Sequence, residues 1–292
     1  MSEFFKNQFH KLANSRVFRR LWVSTPNRVK SLLGPIKKLL PSKTPWEKIP
    51  RVYPVLQCNL KCPFCSDGQD YDQSHMGYEV LPTEQWIRIL DALDGEAVIF
   101  TGGEPTLHPG LPDVINKIHQ VDIRIYTNLS YNVSKFFDRL EKPVAVFASF
   151  HPNNKGVTTD RMIENLKILV AHPMCRELMG IHTIDHPSNG NVQDHKRVFA
   201  EVGFELKVDS DQYVTNSNGP KSCSNSGLST VRCRLDRFLI GPDGKRWICV
   251  SKMIRNVSDG LVTTGTDKIA EMICAEFGRC APCDEIATIE PI

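Results

Sequence analysis

Six times between residues 52 and 209 the chain sets a short apolar run before a longer stretch of helical periodicity or a loop. The runs are VYPVLQ (52–57), EAVIFT (96–101), DIRIYT (122–127), VAVFASF (144–150), LMGIHTI (178–184) and FELKVD (204–209). Their length and β-branched or aromatic content read as strands. Between them TEQWIRILDALD (83–94, capped by Thr83), LPDVINKIHQ (111–120), NVSKFFDRL (132–140), TTDRMIENLKILVAH (158–172) and NVQDHKRVFAEVG (191–203) read as helices, the last stopping at Gly203. Such alternation dictates parallel strands joined by right-handed crossovers. The result is either a doubly wound sheet or a barrel with six strands in place of eight. Pro54 has no N–H for a ladder, which places the first strand at an edge, as in an open barrel. The expected class is α/β, an open (β/α)6 partial TIM barrel.

The pattern changes at both ends. RFLIGPDGKRWICV (237–250) is two short apolar strands around a Gly-Pro-Asp-Gly turn, a hairpin signal. Cys233 and Cys249 flank it, with Cys274, Cys280 and Cys283 beyond, so a small cysteine-rich β-hairpin and helix domain follows the barrel. At the other end, residues 1–50 carry eleven Lys and Arg against Glu3 and Glu47, a charge of +9 in a chain whose total is +3. The prolines of LLPSKTPWEKIP mark the boundary. Three segments are expected: a basic extension (1–50), the barrel (51–215) and the cysteine-rich domain (216–292).

Phe4, Phe5, Phe9 and Leu12, then Val29, Leu32 and Leu33, are spaced by basic residues, as in a segment lying on an anionic membrane surface or as two short helices packed on the barrel. Pro26 and Gly34-Pro35 rule out one long helix. The thin spread of charge, without a recognition motif, excludes nucleic acid. Neither a secretory apolar segment nor a run long enough to span a bilayer is present, so a cytoplasmic protein is expected, with peripheral membrane contact through residues 1–40. Ten cysteines in a reducing compartment point to metal rather than disulfides.

Three of those cysteines fall within VLQCNLKCPFCSDG: Cys58, Cys62 and Cys65, spaced Cys-x3-Cys-x2-Cys. A closed zinc site takes four ligands, usually as two separated pairs. A thioredoxin-like site needs only Cys-x2-Cys. Three thiolates in one loop suit three corners of a [4Fe–4S] cube and leave the fourth iron open. A loop after the first strand of a β/α barrel lies at the face where such folds build active sites. Directly after the second strand, Gly102, Gly103, Glu104 and Pro105 offer two residues without a Cβ, for close approach to a ligand, and a carboxylate for an ammonium group.

With Phe64 at the aromatic position before Cys65, this loop resembles the signature of the radical SAM enzymes, and Gly102–Pro105 resembles their GGEP motif. The resemblance implies that S-adenosylmethionine chelates the open iron, that Glu104 binds its amino group, and that reductive cleavage yields a 5′-deoxyadenosyl radical that abstracts hydrogen from substrate. It further implies roles in ribose and adenine binding for Thr127, Asn128 and Ser149, whose bland alternative is strand-end capping. His151, His182 and Asp185 stand at strand ends where substrate groups are expected, one or two as a base. Cys233-x15-Cys249 with Cys280-x2-Cys283 resembles the twitch extension, a shortened SPASM domain, implying a second, auxiliary [4Fe–4S] cluster; Cys274 is an alternative to Cys280, and a four-cysteine zinc site is the competing reading. Cys175 reads as a core residue, while Cys223 sits in a polar loop as a ligand, a hydrogen donor or a bystander.

The enzyme reading implies an electron donor such as flavodoxin or ferredoxin. Fifty residues ahead of the barrel are too few for the leader-binding domain that peptide-modifying relatives often carry. The expected substrate is therefore a small molecule such as a sugar or aminocyclitol, oxidised or epimerised. The alternatives are a peptide or protein maturase and, in another class, a non-catalytic iron–sulfur or zinc scaffold.

Overall fold

A computed structural model describes residues 49–65, 78–152, 154, 156–210, 230–235, 239–262, 270–275 and 288–292. The basic extension, Cys223, Cys280 and Cys283 lie outside the described residues.

Six parallel strands run in chain order across one sheet: β1 (Arg51–Val52), β2 (Ala97–Phe100), β3 (Asp122–Thr127), β4 (Val144–Ser149), β5 (Cys175–Asp185) and β6 (Leu206–Ser210). Sequential order without a reversal is the order of a barrel wall and excludes the doubly wound alternative, whose sheet turns back at a switch point. The helices α1 (Thr83–Asp91), α2 (Leu111–Lys117), α3 (Val133–Phe137), α4 (Thr159–Ala171) and α5 (Val192–Glu201) fall where the periodicity places them. Their apolar stripes (Trp86 and Leu90, Leu111 and Ile115, Phe137, Leu166 and Leu169, Phe199) cover one face of the sheet, whose Val98, Phe100, Ile123, Ile125, Val144 and Val146 are buried beneath them. Each such side chain contributes about 1.5–3 kcal/mol by leaving water, and Leu90→Ala costs about 2–5 kcal/mol.

Local chemistry sets the helix ends. Thr158 accepts from Arg161 N and caps α4, and Asn132 caps α3 the same way from Lys135 N. After α5, Gly203 at φ +84° closes a Schellman turn, with Gly203 N on Ala200 O (3.0 Å) and Phe204 N on Phe199 O (2.9 Å). Thr83 does not cap α1; Pro82 holds that position without a side-chain hydrogen bond.

The expected edge position of β1 is overturned. The hairpin β8 (Leu239–Ile240) and β9 (Arg246–Trp247) adds to the same sheet, with β8 parallel to β1, giving the order β6-β5-β4-β3-β2-β1-β8-β9. Pro54 is tolerated because the strand ends at Val52 and Tyr53 N makes the last ladder bond, to Ile240 O (2.8 Å). A second core joins hairpin and barrel: Tyr53, Leu56, Tyr78, Leu239 and Trp247 pack with Val250, Met253 and Ile254 on and around α6 (Val250–Ile254). Tyr78 donates to Met253 O across it (2.6 Å). The remaining strands, β7 (Val231–Leu235), β10 (Ala270–Cys274) and β11 (Thr288–Pro291), form a separate antiparallel sheet.

The sheet face turned away from the helices is more polar. Asp122 at the start of β3 is held by Arg124 (2.8 Å) and Arg176 (2.5 Å), all three largely buried. Burial raises the Asp122 carboxyl, but hydrogen bonds and charge from Arg124 and Arg176 outweigh it and leave it below its ordinary value. Two bulges in β5, opposite Val144/Ala145 and Val146/Phe147, bring Gly180 beside Phe147 and His182 beside Ser149.

Candidate active site

The ends of β1, β2 and β3 bring the predicted residues together. Gly103 N meets Val55 O (3.3 Å) and Glu104 N meets Gln57 O (2.9 Å), so the loop after β2 is pinned to the chain entering the cysteine loop. That pinning explains both glycines. A Cβ on Gly103 would lie 2.3 Å from Leu56 O and Gln57 O; on Gly102, at φ +132°, it would lie 2.4 Å from Val55 O. What the two glycines approach here is the chain's own backbone. Pro105 opens a 3-10 turn, Pro105–Leu107, where its missing N–H costs nothing.

Glu104 is 1% exposed. Its Oε1 accepts from Thr106 N (3.1 Å), Thr106 Oγ1 (2.6 Å) and Thr127 Oγ1 (2.9 Å), and its Oε2 from Asn128 N (2.9 Å). Burial pushes the carboxyl up, against which these hydrogen bonds act. Oε1 is saturated, whereas Oε2 keeps room for a further donor such as an ammonium.

Asn128 carries the connection onward. Its Nδ2 reaches Asn59 Oδ1 (3.0 Å) and faces Cys58 Sγ at 3.8 Å. Asn59 Nδ2 donates to Ser130 Oγ (2.7 Å), and Ser130 Oγ donates to Asn128 Oδ1 (2.5 Å), closing a ring of three side chains. Leu129, buried within this turn, takes φ +52°. On the far side of the loop, Asn154 accepts from Lys61 N (3.0 Å) and donates to Cys62 Sγ (3.4 Å). Leu60 N points at Cys58 Sγ (3.4 Å), and Cys65 N closes a turn on Cys62 O (3.0 Å). Burial raises the Cys58 thiol, and it pushes the Cys62 thiol up to about 12. Asn59, Ser130, Thr106 and Asn154 were not singled out from the sequence. The contacts of Asn154 and Ser130 span some 70 to 90 positions, and no local pattern marks them.

Phe64 lies between two imidazoles, with ring centroids 5.2 Å from both His151 and His186. His151 has a buried Nδ1 with no hydrogen-bond partner among the described residues, and burial pushes it down to about 4, so it is neutral near pH 7. Ser149 stands half-buried on the rung of His182, apart from the Glu104 network. Asp185 is exposed, and strand alternation sets it on the opposite face from His182. Cys175 opens β5, packed against the main core, and burial pushes its thiol up to about 11.

In the C-terminal region Cys233 is buried with Ile248, and Cys249 and Met272 pack against them. Cys274, paired with Val231, lies on the sheet face of Cys233. Among the described residues no three His, Cys, Asp or Glu side chains converge on a single-ion site. No helix of the described residues is long and apolar enough to cross a membrane.

The family model of the radical SAM superfamily matches residues 52–186. The chain carries a radical SAM domain. That stretch holds the cysteine loop, Glu104 and Asn128. A radical SAM domain implies a [4Fe–4S] cluster with S-adenosylmethionine, and the residues fit the pair: three thiols in one loop, amide donors aimed at two of the sulfurs, and a buried carboxylate with one oxygen underused. A PqqA peptide cyclase of Bradyrhizobium diazoefficiens is 38% identical over 76 residues, 25% of this chain and 19% of that protein. A GTP 3′,8-cyclase of Chlorobaculum tepidum is 32% identical over 65 residues, 22% of this chain and 19% of that protein. The chain spans about a fifth of the length of the curated relatives it matches. The radical SAM domain and its flanks also share the fold of native anSMEcpe, solved with bound AdoMet and Kp18Cys peptide. That similarity has a TM-score of 0.50 and 16% identity, and covers 73% of this chain and 76% of the other.

Proposed function

We propose that the protein is a radical SAM enzyme acting on a peptide or protein substrate. The observation that carries the enzymatic reading is the network joining the cysteine loop to Glu104: Asn128 accompanies Cys58 with its side chain and holds Glu104 Oε2 with its backbone. A scaffold has no use for a buried, underused carboxylate beside a three-cysteine loop. When bound, the cluster and S-adenosylmethionine supply a 5′-deoxyadenosyl radical for hydrogen abstraction. Cys58, Cys62 and Cys65 would hold the cluster, and Glu104 Oε2 the methionyl ammonium. Thr127 keeps Glu104 oriented through Oγ1, and Asn128 and Asn154 present N–H groups to sulfur. Thr127 and Asn128 thus enter as supports of Glu104 and the loop. The ribose and adenine roles expected for them and for Ser149 remain part of the proposal, as do reduction by a flavodoxin or ferredoxin and an auxiliary cluster on Cys233, Cys249, Cys280 and Cys283.

The peptide substrate displaces the small molecule expected from the sequence. Its support is the match to peptide cyclases over 76 residues. The test is anaerobic reconstitution with iron and sulfide, then S-adenosylmethionine and dithionite. The full chain should form 5′-deoxyadenosine, and replacing Cys58, Cys62 and Cys65 together by Ala should remove about four irons and all of that product. Cleavage persisting in the triple variant refutes the reading. A mass change in peptides encoded beside this chain's gene identifies the substrate class, whereas a change confined to low-molecular-weight metabolites restores the small-molecule reading.

A further inference from the structure

The strand ends that the Glu104 network leaves unused carry a line of four side chains across the polar face of the sheet. Tyr126 on β3 stacks on Phe147 of β4, centroids 4.7 Å apart and planes 25° apart. Phe147 lies 4.3 Å from the ring of His182 on β5. His182 Nδ1 meets Asp209 Oδ2 on β6 at 2.5 Å. The pair is reachable, the side chains being 21% and 53% exposed.

His182 differs from the histidines that serve the fold. His119 uses Nδ1 on Asp91 and Nε2 on Gly95 O; His195 uses Nδ1 on Thr159 and Nε2 on Asn189 O. His172 likewise engages both nitrogens, with Asp138 and Met174 N. His182 has the same carboxylate at Nδ1, but its Nε2 has no hydrogen-bond partner among the described residues. The ring lies back over Gly180, where a Cβ would stand 3.3 Å from Nε2, so the missing side chain keeps that nitrogen clear.

We infer that the His182–Asp209 pair is a proton-accepting site for an O–H or N–H group of the substrate, with Phe147 and Tyr126 as the apolar floor beside it. Asp209 is the positioning residue. By accepting from Nδ1–H it fixes the tautomer that leaves a lone pair on Nε2. In the transfer, the substrate X–H bond breaks, the proton moves to Nε2, the electron pair stays on X, and the imidazolium formed is paired with the Asp209 carboxylate; no electron changes hands. This site deepens the proposed radical SAM reading and depends on it only for its purpose.

Long-range proton–nitrogen spectra of the full, anaerobically reconstituted chain should show His182 protonated at Nδ1 and bare at Nε2. Diethylpyrocarbonate, which acylates an unprotonated imidazole nitrogen, should modify His182 several-fold faster than His119 and His195, as read by peptide mass spectrometry. Asp209→Asn should mix the tautomers and slow that reaction. His182→Gln should remove the fast-acylated site while His119 and His195 keep their rates, which assigns the reactivity to this ring. A protonated Nε2, or reactivity no greater than that of His119, overturns the inference. Absence of 5′-deoxyadenosine from the unaltered chain counts instead against the radical SAM reading.

Discussion

Gly103→Ala puts the joint between the two motifs under test with a single methyl group. The added Cβ would sit 2.3 Å from two carbonyl oxygens, Leu56 O and Gln57 O, both backbone and so unable to swing aside. Overpacking of this kind costs about 1–3 kcal/mol. Separating the strands also strains the bonds Gly103 N to Val55 O and Glu104 N to Gln57 O, each worth about 1 kcal/mol net. The expected loss is about 3–5 kcal/mol, which at roughly 2–4 °C per kcal/mol lowers Tm by on the order of 10 °C. Gly203→Ala is the internal control: Gly203 has a positive φ, +84°, which Gly103 lacks, but nothing lies within 4 Å of its Cβ, so only backbone strain of about 1–2 kcal/mol applies. Scanning calorimetry of both variants compares the two terms. Iron content and S-adenosylmethionine affinity, measured on whatever Gly103→Ala protein is folded, should fall together because Glu104 and Cys58 are carried on the two sides of the joint. A Gly103→Ala protein as stable as Gly203→Ala, with cofactor affinity intact, would falsify the claim that the glycines serve this joint.

Glu104→Ala should retain iron but bind S-adenosylmethionine at least tenfold more weakly, the loss of about 1.4 kcal/mol or more expected of a charge-assisted hydrogen bond; isothermal titration reads it. Asn128→Ala opens the ring with Asn59 and Ser130 and should lower stability by about 2–3 kcal/mol and slow iron uptake, followed by absorbance during reconstitution. Asp122→Asn leaves Arg124 and Arg176 without their carboxylate and should cost about 3–5 kcal/mol at neutral pH. Because the folded carboxyl is lowered, that difference from the unaltered chain is complete above the unfolded value near pH 4 and shrinks as pH falls through the folded one, which urea titrations at pH 7 and at successively lower pH will show. Tyr78→Phe removes one hydrogen bond to Met253 O, which keeps Asn256 N (3.0 Å), and should lower Tm by the equivalent of about 1 kcal/mol.

The wall of the barrel was legible because its signals are local. Strands β2 to β4 and the five helices follow from periods of two and 3.6 residues, and Gly203 marks its helix end through φ alone. Pro54 was legible as a break but misled about position, since the proline shortens β1 rather than exposing it, and the partner β8 lies far along the chain. Thr83 has the right chemistry for a cap, yet its Oγ1 lies where a side chain on Gly110 would stand, a packing fact no window around residue 83 contains. In the site, the cysteine spacing and Gly-Gly-Glu-Pro announced the chemistry. The amides that serve it come from loops brought close only by the assembled sheet. The two bulges of β5 are invisible to alternation, and they set which residues stand beside His182.

The parallel pairing of β1 with β8 sets a clock on biosynthesis. Arg51 pairs with Leu239 and Val52 with Ile240, so the strand that launches the cysteine loop gains its second neighbour only when nearly 190 further residues have been made. At about 5–20 residues per second that delay is roughly 10–40 s. Through this interval the thiols of Cys58, Cys62 and Cys65 hang from a strand held on one side. Iron delivered to a nascent chain therefore meets a loop whose frame is half built, and the finished receptacle for metal exists only once β8 has been made and paired.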